Sequence, residues 1–386
     1  MDFDLGDRAA QLRTTLRSMI EREVPAGFLG AFTNDPNDLA VTQRFCKRLA
    51  EDNLLTWAWP VEYGGRGGSM WDQTVIREEM WAHHEPRGAQ YMGLNWVGPA
   101  VMAFGTDEQK AFHLTAIGAG DVIWCQGFSE PDAGSDLASL KTRADAAPDG
   151  NGWRINGQKI WTSYAEMAQF CVLAARTSTG ARKHEGITLF LLPMDRAGIT
   201  VQPIKSMLGR HHLNEVFFEG VEVYENEVLG AVGDGWRVIR HALTFERVGI
   251  ARYARCERLL SLLESELAAS GEEMSANVRA LFMRALIHTR VARLLAYRVV
   301  HQQEIGALSD ADASAARIAV TQCDQFVAEM LFQAIESDSL RDAKSGAPIY
   351  GAIEDHWRYA QAATIASGTI EIQRQLVARA ALGGSR

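Results

Sequence analysis

The sequence predicts an α+β chain in three parts: an N-terminal helical domain, a middle antiparallel β-domain and a C-terminal four-helix bundle. Three observations carry this. Before about residue 120, apolar residues recur at helical spacing, as in Leu12, Leu16, Met19 and Ile20, with Phe45, Leu49 and Leu55 in the next segment. From there to about residue 234, short β-rich runs follow with no helix-length periodic stretch between them. After Gly235 long helical patterns return. The expected domains are 1–120, 121–234 and 235–386, since 386 residues exceed what one compact core ordinarily holds.

Local signals justify each element in turn. Trp57 to Met70 holds Pro60 and four glycines and reads as a loop, without the glycine spacing of a phosphate cradle. Thr106 with Gln109 makes a capping box for the helix that follows. Asn156-Gly157 predicts a hairpin between 152–155 and 158–161. Further strands are expected at Phe170–Ala175, Ile187–Leu192, Ile199–Ile204 and Val216–Val223. A helix from Trp236 is expected to run to about Ala268, with others over 276–303 and 310–337 and a last pair flanking Ser367-Gly368.

Composition excludes some classes. Hydrophobic residues make up 47% and charged residues 23%, as in a soluble globular protein, and the net charge of −9 argues against nucleic-acid or anionic-membrane surfaces. No apolar run has membrane-spanning length, and the first residues lack a signal-peptide pattern. Five scattered cysteines imply reduced thiols in a cytoplasmic protein, each packed away from any activating base and without metal spacing. The adjacent His211-His212 lacks a third ligand, so no metal is expected.

Two stretches carry chemistry. Trp124–Asp136 opens as a buried strand and meets Pro131 and Gly134, with Ser129, Ser135 and turn amides as hydrogen-bonding groups. It reads either as an ordinary strand exit or as a ligand platform. On the helix from Trp236, the residues Trp236, Ile239, Leu243, Glu246, Ile250 and Tyr253 step along one face, so Glu246 interrupts an apolar stripe. A desolvated carboxylate there would be a stronger proton acceptor, unless it reaches the surface or pairs with Arg247.

Ser129-Glu130-Pro131 followed by Ala133-Gly134-Ser135-Asp136 resembles the T/S-E-P-x-A-G-S-D signature of the acyl-CoA dehydrogenase family. The order of helical, β and helical parts is similar over essentially the whole chain. The resemblance implies FAD against the β-domain, contacted by Gln126, Phe128 and Ser129 and by Trp161, Thr162 and Ser163 of the W-x-T/S motif. It places Thr369 and Glu371 with the cofactor contacts, and Ser135, Arg247 and Gly368 with the acyl-CoA substrate. Most members carry the catalytic glutamate immediately before a Gly-Thr near the C-terminus, where this chain has Ser367-Gly368-Thr369. A branch that includes isovaleryl-CoA dehydrogenase-like enzymes takes it from an E-R pair on the preceding long helix, which matches Glu246-Arg247. The stripe and the motif select the same base, Glu246. Glu371 is the rival carboxylate, explained equally by a place in the first turn of a helix.

Two family segments are missing. Neither Ser265–Ala280 nor Phe332–Tyr350 carries the R-x-T/S-F-G or Q-x-x-G-G sequences that complete a neighbour's FAD site. In this respect, and at Lys183–Ile187 and Gly209–Glu215, the chain is similar to heteromeric actinobacterial steroid side-chain dehydrogenases. The implied partners are an acyl-CoA, an electron-transfer flavoprotein and a second unlike subunit in an α2β2 assembly, or else a homo-oligomer. The implied reaction is α,β-dehydrogenation of a bulky or branched acyl-CoA. The competing readings are a non-catalytic partner subunit and a flavin-dependent monooxygenase or oxidase.

Overall fold

The computed structural model describes residues 5–30, 36–180, 182–248, 251–342, 345–366 and 368–383; the side chains of 36, 209–212 and 243–248 lie outside that description. It has the expected architecture of N-terminal helices, a middle β-sheet and C-terminal helices. The chain divides into two compact units, one of residues 1–30, 68–86 and 247–386, the other of residues 31–67 and 87–246. Among the described residues no helix is long and apolar enough to cross a membrane.

The second unit holds the sheet. Its order is β6-β7-β3-β2-β4-β5-β8, with β1 also paired to β4. The strands are β1 Trp124–Gly127, β2 Arg143–Ala146, β3 Trp153–Lys159, β4 Phe170–Arg176, β5 Ile187–Pro193, β6 Ile199–Ser206, β7 Gly209–Val223 and β8 Val228–Leu229. Most pairings are antiparallel, but β1 and β2 both meet β4 in parallel. Buried Ile155, Leu173, Phe190, Leu192, Val216 and Phe218 form the core on one face. In the same unit the Thr106–Gln109 capping box forms as expected, and the Gln109 side chain continues to the carbonyls of Asn226 and Val228.

Three expectations are corrected. Asn156-Gly157 makes no hairpin; both lie inside β3, which runs unbroken beside β7 with a register shift between Ile155 and Gly157. Asn156 Oδ1 accepts from the Gly220 amide at 2.8 Å, and a Cβ at Gly157 would lie 2.5 Å from Thr142 Oγ1. The pair thus serves a bulge and a close strand approach instead of a turn. The single helix expected from Trp236 to Ala268 is two, Gly235–Val248 and Arg252–Ser270, with Ala251 at φ −85°, ψ 49° outside both. Finally, all five cysteines are buried and free, but Cys256 does face a base: its Sγ lies 3.8 Å from His356 Nε2 and 3.5 Å from Asp324 Oδ1.

The first unit is tied together by a buried carboxylate. Glu78, on the helix Met70–Ala82, is 2% exposed. It accepts from Arg13 Nη2 at 2.6 Å and from the hydroxyls of Tyr253 and Tyr297 at 3.0 and 2.9 Å. These partners come from three further helices, Gly6–Glu23, Arg252–Ser270 and Ala276–Glu304. Removing a buried charge partner strands the groups around it. Glu78→Ala is expected to lower unfolding stability by roughly 3–5 kcal/mol. Urea unfolding followed by circular dichroism checks it; a loss within experimental error would show that the four helices are held by apolar packing alone.

Candidate active site

The site is built where β1 and β3 end side by side. Lys159, the last residue of β3, is fully buried, and its ammonium donates to the Phe128 carbonyl at 3.0 Å and to Glu130 Oε1 at 2.7 Å. Glu130 in turn accepts from the backbone amides of Lys141 at 2.6 Å and Thr142 at 2.9 Å. One residue beyond Lys159, the Ile160 amide donates to the Ser129 carbonyl at 2.9 Å. The segments that carry the two sequence motifs, Gln126–Ser129 and Trp161–Ser163, are therefore joined next to the motifs by one backbone bond from Ile160 and by Lys159, which meets Phe128 and Glu130.

Electrostatics keep that pair ionised near neutral pH. Burial opposes the charge on Glu130, but Lys159 and the donors around it prevail and hold the carboxyl below its usual range. Burial pushes the Lys159 ammonium down to about 8, against the pull of Glu130.

Trp161 is the exposed member. It is 56% exposed with φ at +58°, a left-handed conformation uncommon for a non-glycine residue. Bonds on both sides hold it there. Ile160 is fixed to Ser129, and Thr162 exchanges backbone bonds with Asn214 of β7 at 2.9 and 3.1 Å. Asn214 Nδ2 adds a third bond to the Thr162 carbonyl at 3.0 Å. Thr162 Oγ1 is buried with no hydrogen-bond partner among the described residues. An exposed indole held in a costly conformation beside an unsatisfied hydroxyl is the kind of local strain that marks ligand sites. Half-buried Gln126, Ser129 and Ser163 lie in the same two segments, and Phe128 is buried. This set fits a flat heteroaromatic ring with polar edges, such as the isoalloxazine of FAD.

The remaining expected residues fall elsewhere. Ser135 is exposed on the loop after β1, whose Asp136 is held by Lys183 Nζ and Ser139 Oγ at 2.8 and 2.6 Å. Gly368, Thr369 and Glu371 belong to the helical unit. Gly368 has φ +86°, Thr369 Oγ1 caps the helix Ile370–Leu382 by accepting from the Ile372 amide, and Glu371 lies exposed in its first turn. Glu246 and Arg247 occupy the end of the helix Gly235–Val248; their side chains lie outside the described residues, as do those of His211 and His212, and Ser367 as a whole. Sequence reading passed over Lys159 and Asn214. A lysine at the end of a strand next to Gln158 reads as solvent-facing, and only its distance of 29 residues from Glu130, closed by the fold, gives it a role.

Models of the acyl-CoA dehydrogenase N-terminal, middle and C-terminal domains match residues 6–121, 125–221 and 233–382. The chain is 34% identical over 391 residues to acyl-CoA dehydrogenase IpdE1 of Mycobacterium tuberculosis, covering 98% of each. Among solved structures it resembles the Tcur3481-Tcur3483 steroid ACAD, with a TM-score of 0.92 and 32% identity over all of both chains. The ChsE4-ChsE5 complex from Mycobacterium tuberculosis gives a TM-score of 0.87 and 30% identity over all of both chains. Fold and matches together define an oxidoreductase acting on the CH–CH group of its donor, on a fold whose homologues are FAD-binding flavoproteins. The chain belongs to the acyl-CoA dehydrogenase family.

The Glu130–Lys159 pair gives a pH signature. Since the folded state holds the Glu130 carboxyl below its usual 4.5, its contribution is complete above that pH and is lost as pH falls through the lower folded-state value. Glu130→Gln is expected to lower the melting temperature at neutral pH and to flatten its decline on acidification. Equal acid slopes for the variant and the parent would remove Glu130 from this role.

Proposed function

We propose that this chain binds FAD on the β1–β3 platform and dehydrogenates an acyl-CoA thioester to the trans-2-enoyl-CoA, as the base-bearing subunit of a heteromer. The observation that carries this reading is the strained, exposed Trp161 beside Thr162, bonded through Ile160 to the strand end at Phe128 and Ser129. Gln126, Phe128, Ser129, Trp161, Thr162 and Ser163 hold the ring system; Thr369 and Glu371 are also assigned to the cofactor. When bound, the flavin supplies a two-electron acceptor for the substrate's β-hydrogen.

The chain's own work is proton removal and positioning. The Glu246 carboxylate takes the α-proton as the β-hydrogen departs as hydride, so both electrons of the β C–H bond leave and the Cα–Cβ double bond forms. Glu246 lies near the end of the helix Gly235–Val248 and in the sequence interrupts an apolar stripe of Trp236, Ile239 and Leu243, where a carboxylate would lose solvation and accept a proton more readily. Arg247 and Gly368 are assigned to substrate, and Ser135 to its CoA portion. An electron-transfer flavoprotein is the proposed acceptor of the electrons.

An unlike partner is supported by three observations. The segments 265–280 and 332–350 lack the family's cross-subunit sequences. The Tcur3481-Tcur3483 and ChsE4-ChsE5 structures named above pair unlike chains. In addition, Met283, Ile287, Val291 and Leu294 form a stripe at helical spacing on Ala276–Glu304, each 44–61% exposed. The similarity to a steroid ACAD supports a bulky, steroid side-chain acyl-CoA as the substrate.

Glu246→Gln in the assembled protein is expected to keep its flavin and to lose activity by about 10²–10⁴-fold with an artificial acceptor. Unchanged turnover would instead make this chain the non-catalytic partner. The flavin-to-polypeptide ratio checks the heteromer separately. The chain purified alone is expected to retain little FAD, and co-expression with an unlike subunit is expected to restore it. A ratio near one for the chain alone would mean that it completes its own sites.

A further inference from the structure

Within the helical unit, far along the sequence from the flavin-platform motifs, three side chains converge from three helices. Cys256 comes from Arg252–Ser270, Asp324 from Asp310–Ile335 and His356 from Ala352–Ala362. All three are fully buried. Cys256 Sγ lies 3.5 Å from Asp324 Oδ1 and 3.8 Å from His356 Nε2, and the Asp324 Oδ1 to His356 Nε2 distance is 3.7 Å.

Ordinary hydrogen bonding accounts poorly for this arrangement. A buried carboxylate demands strong donors, because its desolvation is otherwise uncompensated. Among the described residues, Oδ1 of Asp324 receives only a weak thiol donor at 3.5 Å, and its contact with the imidazole is too long for a hydrogen bond. Oδ2 has no hydrogen-bond partner among the described residues, and the Arg252 Nε nearest to it stands 3.8 Å away. His356 Nδ1 is likewise without a hydrogen-bond partner. Unsatisfied buried groups of this kind call for a further ligand.

The spacing identifies its class. With typical zinc bonds of about 2.3 Å to sulfur and about 2.0–2.1 Å to nitrogen and oxygen, a tetrahedral site has ligand-to-ligand edges of roughly 3.3–3.6 Å. The three observed edges equal or exceed that range by a few tenths of an ångström, within reach of small rotamer adjustments. One thiolate, one imidazole and one carboxylate form a borderline-soft set that suits zinc and disfavours magnesium or calcium. Charge also balances, since a divalent ion, a thiolate and a carboxylate sum to zero, which leaves Arg252 on the outer side of the carboxylate tolerable. Cys323, also fully buried, neighbours the Cys256 thiol.

We propose that Cys256, Asp324 and His356 form a structural zinc site that clips three helices of the C-terminal bundle. Binding releases the Cys256 thiol proton and joins elements that lie 100 residues apart in sequence. Full burial makes the ion structural instead of catalytic, and flavin binding does not require it.

The test uses the full chain in its native assembly, treated with chelator and then dialysed against zinc or cobalt. The expected result is about one retained zinc per chain by elemental analysis, with a higher melting temperature than the chelated protein. Cobalt should give visible ligand-field bands with a thiolate charge-transfer band, read on flavin-free protein. Cys256→Ser and His356→Gln, folded by circular dichroism, should lose both the zinc and the bands. Failure of the parent protein to retain zinc or to show the bands would overturn the site, whatever the variants do. Equal zinc retention by Cys256→Ser would assign the ion to another location and overturn it as well.

Discussion

The candidate site depends on one lysine that has no access to water. Lys159 ends β3 inside the β unit, and burying its ammonium is tolerable only because Glu130 and the Phe128 carbonyl meet it there. Glu130 is in turn satisfied by the amides of Lys141 and Thr142, which lie just before β2. A single charge pair thus sets where β1 stops, where the following loop turns and where the chain enters β2. It follows that the S-E-P part of the signature is mainly a matter of architecture. Its glutamate points inward to an ion pair, while Ser129 and Phe128 beside it are left at the strand end.

That division explains why Trp161 can be held at positive φ. Its neighbours on both sides are clamped, Ile160 to Ser129 and Thr162 to Asn214, so the left-handed residue has no freedom to relax. Backbone strain of roughly 1–3 kcal/mol is sustainable when the surroundings over-determine it. The result is a large apolar ring placed on the surface of a rigid sheet, a preorganised contact for a flat ligand. Asn214 provides one of the clamps with both its backbone and its side chain, from the segment that sequence reading could only compare with relatives.

Much of the fold was legible because it rests on local signals. The helical stripe of Leu12, Leu16, Met19 and Ile20 is buried, as spacing predicts, and the Thr106–Gln109 box forms. The strands at Phe170, Ile187, Ile199 and Val216 begin or lie where β-branched and aromatic runs put them. What failed was decided at long range. Asn156-Gly157 has strong turn chemistry, yet Thr142 just before β2 and Gly220 of β7 hold it in a strand. Lys159 was illegible for the same reason, since its partner is remote in sequence. The cysteine reading erred at Cys256 because His356 and Asp324 reach it from helices 100 and 68 residues away.

The choice between two carboxylates can be argued from helix geometry alone. Glu371 occupies the first turn of Ile370–Leu382, where free amides and the positive end of the dipole accept an acid for structural reasons. Glu246 lies near the other end of its helix, Gly235–Val248. As the proposed base it would interrupt an apolar stripe, and a carboxylate that loses solvation accepts a proton more readily. The E-R motif and the interrupted apolar stripe converge on this residue as the proposed base. The helical conformation does not continue through Ala251. The break that defeated the expectation of one long helix is therefore the feature that places Glu246 at a carboxyl-terminal helix end.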